Sequence, residues 1–265
     1  MAEGAPASSL AGRLRSGETL YTAWSAIPEP LVAEFLARTR FDAVTLDMQH
    51  GCHSTDSVMR CTAAIRLAGK PAVIRVPVGR FDMASQALDF GAAAVIAPMI
   101  NSVADARAFG AAMKFPPRGE RSWGPTRVLA LQGRPDPQTY FRSANQETLA
   151  IAMVETSAAA AALDEILDVD TIDGIFVGPS DFSIAVSKGS KVDANDPEML
   201  AAAATIARRT SDAGKIPCTL AITAEAGQLS RDMGFRFIAL GIDFAYLSSG
   251  ASTLLERATV GSAQP

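Results

Sequence analysis

The sequence predicts an α/β protein of the (β/α)8 TIM-barrel class. Short apolar runs rich in β-branched residues alternate with longer, alanine-rich amphipathic runs, and the alternation recurs eight times within 265 residues. Such alternation implies parallel strands joined by helical crossovers. Eight of these units in a chain of about this length close into one barrel. A doubly wound open sheet is the competing architecture. No G-x-G-x-x-G follows the first strand, which removes the main sequence support for its dinucleotide-binding form.

Residues 1–16 read as a flexible N-terminal segment ahead of a single barrel domain over 17–265. The first strand is expected at 20–26, followed by a helix over 29–38. Strands at 43–46, 72–76 and 94–97 then alternate with helices over 56–68, 82–90 and 102–113. After an irregular stretch and a short helix at 138–145 come a strand at 149–154 and a helix over 157–167. The strand at 174–177 leads through an excursion to a helix over 197–213. Strands at 217–221 and 237–240 flank a helix over 224–233, and a last helix starts after Phe244. Two connections exceed ordinary length: 115–137, with several Gly and Pro and four Arg, and 181–196. Long excursions in compact domains tend to be functional or mobile, and both are expected to roof one face of the barrel.

Composition narrows the function classes. Hydrophobic residues make up 48% of the chain, enough for a sizeable core and too many for disorder. The net charge of −4 is spread without a basic stripe, so nucleic acid is not an expected partner. Cys52, Cys61 and Cys218 are odd in number and lack C-x-x-C spacing, which argues against a disulfide framework and for a cytoplasmic protein. The N-terminus lacks the basic and apolar regions of a secretion signal. No apolar run approaches the ~20 residues that span a bilayer, so no membrane is expected either.

In a parallel barrel the chemistry sits at the C-terminal strand ends. Asp47 ends the second expected strand and leads into His50; Arg75 ends the third. Glu155 follows the fifth, and Gly178-Pro179-Ser180-Asp181 follows the sixth. Glu155 and Asp181 would make a hard oxygen site for Mg²⁺ or Mn²⁺, with Co²⁺ as a further option, completed by water and substrate. The ordinary alternatives are a first-turn acid favoured by the helix dipole for Glu155 and an acid in a capping turn for Asp181. The glycine permits unusual backbone angles, and free amides at that turn suit a substrate carboxylate. His50 is a candidate acid/base that Asp47 could orient. His53 reads as an exposed loop or helix-start residue, although the run His50-Gly51-Cys52-His53 leaves a local metal loop open. Arg75 faces an anion or forms an ion pair with Asp47 or Glu155. Asp89, at a helix end away from the rim, reads by itself as a solvated acid. No lysine falls inside an expected strand, where a Schiff-base lysine would sit. Aldol chemistry on this chain would therefore need a metal.

Several stretches resemble the HpcH/HpaI aldolase family, which also contains 2-dehydro-3-deoxyglucarate aldolases. They are Asp47-Met48-Gln49-His50, Pro98-Met99, 115–122, Met153-Val154-Glu155-Thr156 and 173–183, and the similarity runs from about Tyr21 to Ala251. The resemblance implies a phosphoenolpyruvate/pyruvate-type barrel forming a homo-hexamer, a trimer of dimers, with the last helix exchanged between subunits. It implies that Glu155 and Asp181 hold the divalent metal. His50, supported by Asp47, would serve as base through a bound water, and Arg75 would contact the oxygen that becomes the enolate. Asp89 matches an acid that reaches a neighbour's site, and Trp24 an aromatic near the entrance. The expected activity is class II aldol cleavage and condensation of 4-hydroxy-2-oxo acids, giving pyruvate or hydroxypyruvate and an aldehyde, of the kind used in aromatic-compound catabolism. Met48-Gln49, Met153 and Ser122-Trp123 depart from the family pattern and bear on the aldehyde side. The rivals are a citrate-lyase-like enzyme cleaving a CoA thioester, which would need a basic groove, and a non-catalytic barrel that binds a keto acid.

Overall fold

The computed structural model describes residues 5–133 and 136–260. Eight parallel strands pair in chain order and β8 closes onto β1. They are β1 (Leu20–Ser25), β2 (Ala43–Asp47), β3 (Ala72–Arg75), β4 (Ala94–Ala97), β5 (Leu149–Val154), β6 (Gly174–Val177), β7 (Ile216–Ala221) and β8 (Phe237–Leu240). Side chains alternate across the sheet with a period of two. Leu20, Val73, Ile96, Ile151, Phe176 and Phe237 fill the barrel interior. Val44, Leu46, Ile74, Val95 and Ile175 pack outward against the helices. Each of these side chains is essentially removed from water, a burial that stabilises by about 1.5–3 kcal/mol per large residue.

The outer layer is built from α2 (Pro30–Arg38), α3 (Thr55–Leu67), α4 (Phe81–Phe90), α5 (Val103–Met113), α8 (Ser157–Ala161), α9 (Leu163–Leu167), α11 (Pro197–Asp212) and α12 (Ala224–Asp232). The helix expected over 157–167 is broken at Ala162 into α8 and α9. A closing helix, α13 (Asp243–Val260), leaves the rim and exposes Phe244, Leu247, Leu254 and Leu255.

Three segments differ from expectation. The N-terminal stretch read as flexible contains α1 (Leu10–Arg15), capped by the Ser9 hydroxyl. Leu10 and Leu14 lie one helical turn apart and join the cluster that fills the barrel, so burial holds α1 in place. The 115–137 stretch follows α5, which ends at the N-terminal face, so it does not roof the mouth. It forms α6 (Thr126–Gln132) and leads into α7 (Pro137–Glu147), around a small core of Phe115, Val128, Tyr140 and Ala144. The 181–196 stretch does lie at the C-terminal face, where it begins inside α10 (Pro179–Val186). Among the described residues no helix is long and apolar enough to cross a membrane.

Candidate active site

The strand register assembles the site. Asp47 and Arg75 are direct partners across β2 and β3 and both turn into the barrel mouth. Arg75 Nε donates to Asp47 Oδ1 at 2.8 Å and Nη2 to Oδ2 at 2.6 Å, a bidentate pair. Burial works against the charge on Asp47. The hydrogen bonds and charge of Arg75, with the amides of Gln49 and His50, outweigh it and hold the carboxyl below its ordinary range. The Arg75 guanidinium lies 4.9 Å from the Trp24 ring centroid, and Trp24 Nε1 donates to Asp47 Oδ2 at 3.3 Å. Nη1 of Arg75 stays uncommitted among the described residues, available to a substrate oxygen.

Two expectations change here. Asp47 meets the main-chain amide of His50, at 3.3 Å, and not its imidazole. Its oxygens are already taken by Arg75, which the register brings nearer than the loop. Trp24 is 3% exposed and lies inside the barrel, so it supports Arg75 from below instead of standing at the entrance. Its position on β1 puts it on the inward side with Leu20.

Glu155 directly follows β5, next to Thr156, whose hydroxyl caps α8. The carboxylate is buried, and its Oε1 accepts the amide of Met99 at 2.8 Å. Met99 holds a left-handed backbone (φ 55°) to supply that amide, a conformation uncommon for a residue with a side chain. Gly178 makes room for Oε2: a Cβ there would stand 2.6 Å from it. Burial pushes Glu155 above the ordinary carboxylate range, and the charge of Asp181 adds to this. The Met99 amide and the charge of Arg75 act the other way and do not cancel it. Asp181 is exposed in the first turn of α10, which Gly178 and Pro179 start. Ser180 is exposed beside it.

A buried carboxylate without a cation in contact, with a second carboxylate beside it, fits a divalent metal. Among the described residues no group of three or more His, Cys, Asp or Glu could hold one. A two-carboxylate site of this kind leaves room for water and substrate oxygens, as Mg²⁺ and Mn²⁺ prefer. The His50–His53 metal loop is not formed: Cys52 is exposed, while His53 is buried between Ser25 and Ser57.

His50 is exposed on the loop after β2, at the same rim. Asp89 is not at this rim. It ends α4 at the opposite face and pairs with the buried Arg121 at 2.6 Å. Arg118 bonds the Asp170 carbonyl at 2.6 Å, and Arg127 bonds that of Met59. Arg134 lies outside the described residues. The arginines that left a CoA groove open therefore do not line the mouth where they are described. A cavity of about 650 Å³ also opens on the N-terminal face, bordered by Arg13, Lys70, Val128 and Tyr140. It holds none of the rim acids.

Reading strand ends missed Met99, His53 and Asp243. Pro98-Met99 was part of a recognised motif, but its amide's role depends on a backbone twist that no motif shows. Asp243 follows the end of β8 and was reachable by the rule that found Asp47 and Asp181.

The class of protein is a parallel (β/α)8 barrel whose C-terminal rim carries Glu155, Asp181 and the Asp47–Arg75 pair. Residues 20–249 match the model of the HpcH/HpaI aldolase/citrate lyase family. The chain belongs to this family and is an aldolase-type enzyme. It is 34% identical to the hydroxypyruvate/pyruvate aldolase of Rhizorhabdus wittichii, over 91% of this chain and 95% of that one. It is 32% identical to a 2-keto-3-deoxy-L-rhamnonate aldolase of Shigella boydii, over 87% and 85% of the two chains. A solved family member from Burkholderia cenocepacia superposes with a TM-score of 0.85 at 28% identity, covering 94% of this chain and 98% of that one.

Proposed function

We propose that the chain is a metal-dependent aldolase that reversibly cleaves 4-hydroxy-2-oxo acids into a 2-oxo acid, pyruvate or hydroxypyruvate, and an aldehyde. The observation that carries this is Glu155, a buried acid at the C-terminal end of β5 with no cation in contact, close enough to Asp181 to feel its charge. Glu155 and Asp181 would hold a Mg²⁺ or Mn²⁺ ion, which when bound supplies Lewis-acid polarisation of the keto group. Arg75, fixed by Asp47 and Trp24, offers a hydrogen bond to the keto oxygen as it gains negative charge. The amides at the start of α10, at Ser180 and Asp181, suit the substrate carboxylate. His50 takes the C4 hydroxyl proton through a water. As the C3–C4 bond breaks, its electrons pass to the enolate and the aldehyde leaves.

The assembly reading follows from α13. Its exposed Phe244, Leu247, Leu254 and Leu255 would be covered by a second copy of the chain, in the hexamer that the family resemblance implies. Asp89 would then serve a neighbouring mouth. Light scattering on the purified protein tests this, and a monomer at micromolar concentration ends it.

The activity test is aldehyde release from a 4-hydroxy-2-oxo acid before and after EDTA, with restoration by Mg²⁺ or Mn²⁺. Full activity in EDTA would sink the metal assignment. Turnover of a CoA thioester in place of the oxo acid would favour the lyase alternative.

A further inference from the structure

The loop that carries His50 is fastened at both ends. At its start Asp47 accepts the amides of Gln49, at 3.0 Å, and His50, at 3.3 Å. In its middle the Cys52 amide donates to the Ala26 carbonyl at 2.9 Å. Gly51 lies so close to the rim that a Cβ there would stand 2.4 Å from the Asp47 carbonyl oxygen. At its end His53 is 6% exposed, with Nε2 3.2 Å from Ser25 Oγ and Nδ1 3.1 Å from Ser57 Oγ. Ser25 Oγ in turn lies 3.0 Å from Asp243 Oδ2, which also accepts the amides of Ala26 and Ile27.

Counting hydrogens assigns the direction of this chain. The Ser25 hydroxyl has one hydrogen, and Asp243 Oδ2 is its acceptor. His53 Nε2 must therefore carry a hydrogen and donate it to Ser25 Oγ. In the neutral ring Nδ1 then carries no hydrogen and faces the Ser57 hydroxyl, whose one hydrogen is shared between Nδ1 at 3.1 Å and the Ser54 carbonyl at 3.0 Å. Donation runs from His53 through Ser25 to Asp243, and with Ser57 at Nδ1 the contacts join the first turn of α3, the loop, the end of β1 and the first residue of α13. A buried imidazole with two polar partners is an unneeded expense for stability alone, because an apolar side chain fills such a space at lower cost.

We propose that His53 is a positioning residue: it locks the β2 loop to the rim of β1 so that His50 stands at a fixed place over the barrel mouth. The inference rests on the reading of His50 as the base. His53 touches no reacting atom; it sets where the main chain three residues earlier can be. Arg75, Glu155 and Asp181 are held by other elements, so loosening His53 disturbs proton transfer and leaves 2-oxo acid binding in place.

Three variants are compared by steady-state aldol cleavage, with folding followed by thermal melting. His53→Leu keeps the bulk and removes both polar nitrogens. His53→Gln retains a donor near the Nε2 position. His50→Ala removes the base itself. The expected result is a fall in kcat of about tenfold or more for His53→Leu, with KM within about threefold of wild type. His53→Gln should recover kcat to within about threefold, and His50→Ala should lose more than either. If His53→Leu does not fold, Ser25→Ala deletes the acceptor of Nε2 with minimal change of bulk and is read the same way. Wild-type kcat in the His53→Leu or Ser25→Ala protein, with His50→Ala inactive, overturns the proposal alone. So does a His53→Gln protein as slow as His53→Leu. Retained activity in His50→Ala overturns the base reading and the proposal with it.

Discussion

Both ends of the barrel bury charge, and they treat it in opposite ways. At the N-terminal end the fully buried Lys114 donates to Asp173 Oδ2 at 2.7 Å and to the carbonyls of Asn145 and Thr148. Asp173 also accepts from Arg15 at 2.8 Å and from the amide of Ala150. Desolvation pulls the Lys114 pKa down, and the charge and hydrogen bond of Asp173 oppose it. Each charge there has an opposite partner within the same network. At the C-terminal end Asp47 and Arg75 satisfy each other, but Glu155 receives one amide and no cation. A network closed on itself needs no ligand. A buried acid left open is expensive unless something else completes it, which is the physical mark of a functional site. Lys114 also shows why a buried lysine is not by itself a Schiff-base candidate: its hydrogens are all engaged, far from the mouth.

The largest expected effect breaks the open end. Glu155→Ala should lower kcat by about a thousandfold or more, because it removes half of the carboxylate pair. The melting temperature should hold or rise, since an uncompensated buried acid is gone. Steady-state kinetics and calorimetry on the same preparation check both halves, and a clear loss of stability would erase the contrast. The closed end should respond in reverse. Lys114→Met leaves Asp173 with Arg15 alone and two buried carbonyls without their donor, and should cost about 1–3 kcal/mol of stability. The kcat per folded molecule should stay unchanged. Chemical denaturation reads the first, and active-site-normalised turnover the second.

Asp47→Asn falls between these, because Asp47 is both paired and at the mouth. The amide keeps the shape but loses the charge that holds Arg75. Turnover should fall by about a hundredfold through misplacement of the guanidinium, with KM for the 2-oxo acid raised as well. Unchanged kinetics would mean that Trp24 alone is enough to place Arg75.

How much of this was legible in the chain differs between the two ends. Asp47, Arg75, Glu155 and Asp181 could be found because they border apolar strand runs, and a parallel barrel brings strand ends together. That Asp47 binds Arg75 and not the His50 ring could not, because it depends on the β2–β3 register. The inward position of Trp24 follows from strand alternation, but only once the phase of β1 is fixed. The N-terminal end was almost opaque. Lys114 and Asp173 are 59 residues apart and carry no local pattern, and Leu10 and Leu14 sit in a stretch whose small and polar residues hide a six-residue helix. His53 was hidden for a related reason: a polar residue in a Gly-containing loop looks exposed until its partners, on β1 and α3, are known.

The smallest effect sharpens the comparison by testing a buried group that needs no external partner. Burial holds the His53 pKa below its ordinary value of about 6.5, with the charges of Asp243 and Asp47 acting against it. In the unfolded chain the ring takes up a proton as pH falls through about 6.5; in the folded chain it does so only at lower pH. Between those two values the unfolded state binds more protons, so acidification removes stability. Above about 6.5 the ring is neutral in both states and the effect vanishes. The slope within the window cannot exceed about 1.4 kcal/mol per pH unit for one group. His53→Gln should lack this component, so its urea midpoint should fall less than that of wild type between about pH 7 and pH 5. Titrating groups that do not interact with His53 contribute equally to both proteins and cancel in the difference. Parallel pH profiles for the two proteins would show that the folded chain does not hold the His53 ring below its unfolded pKa, and that this end of the barrel leaves His53 open to protons as it leaves Glu155 open to a cation.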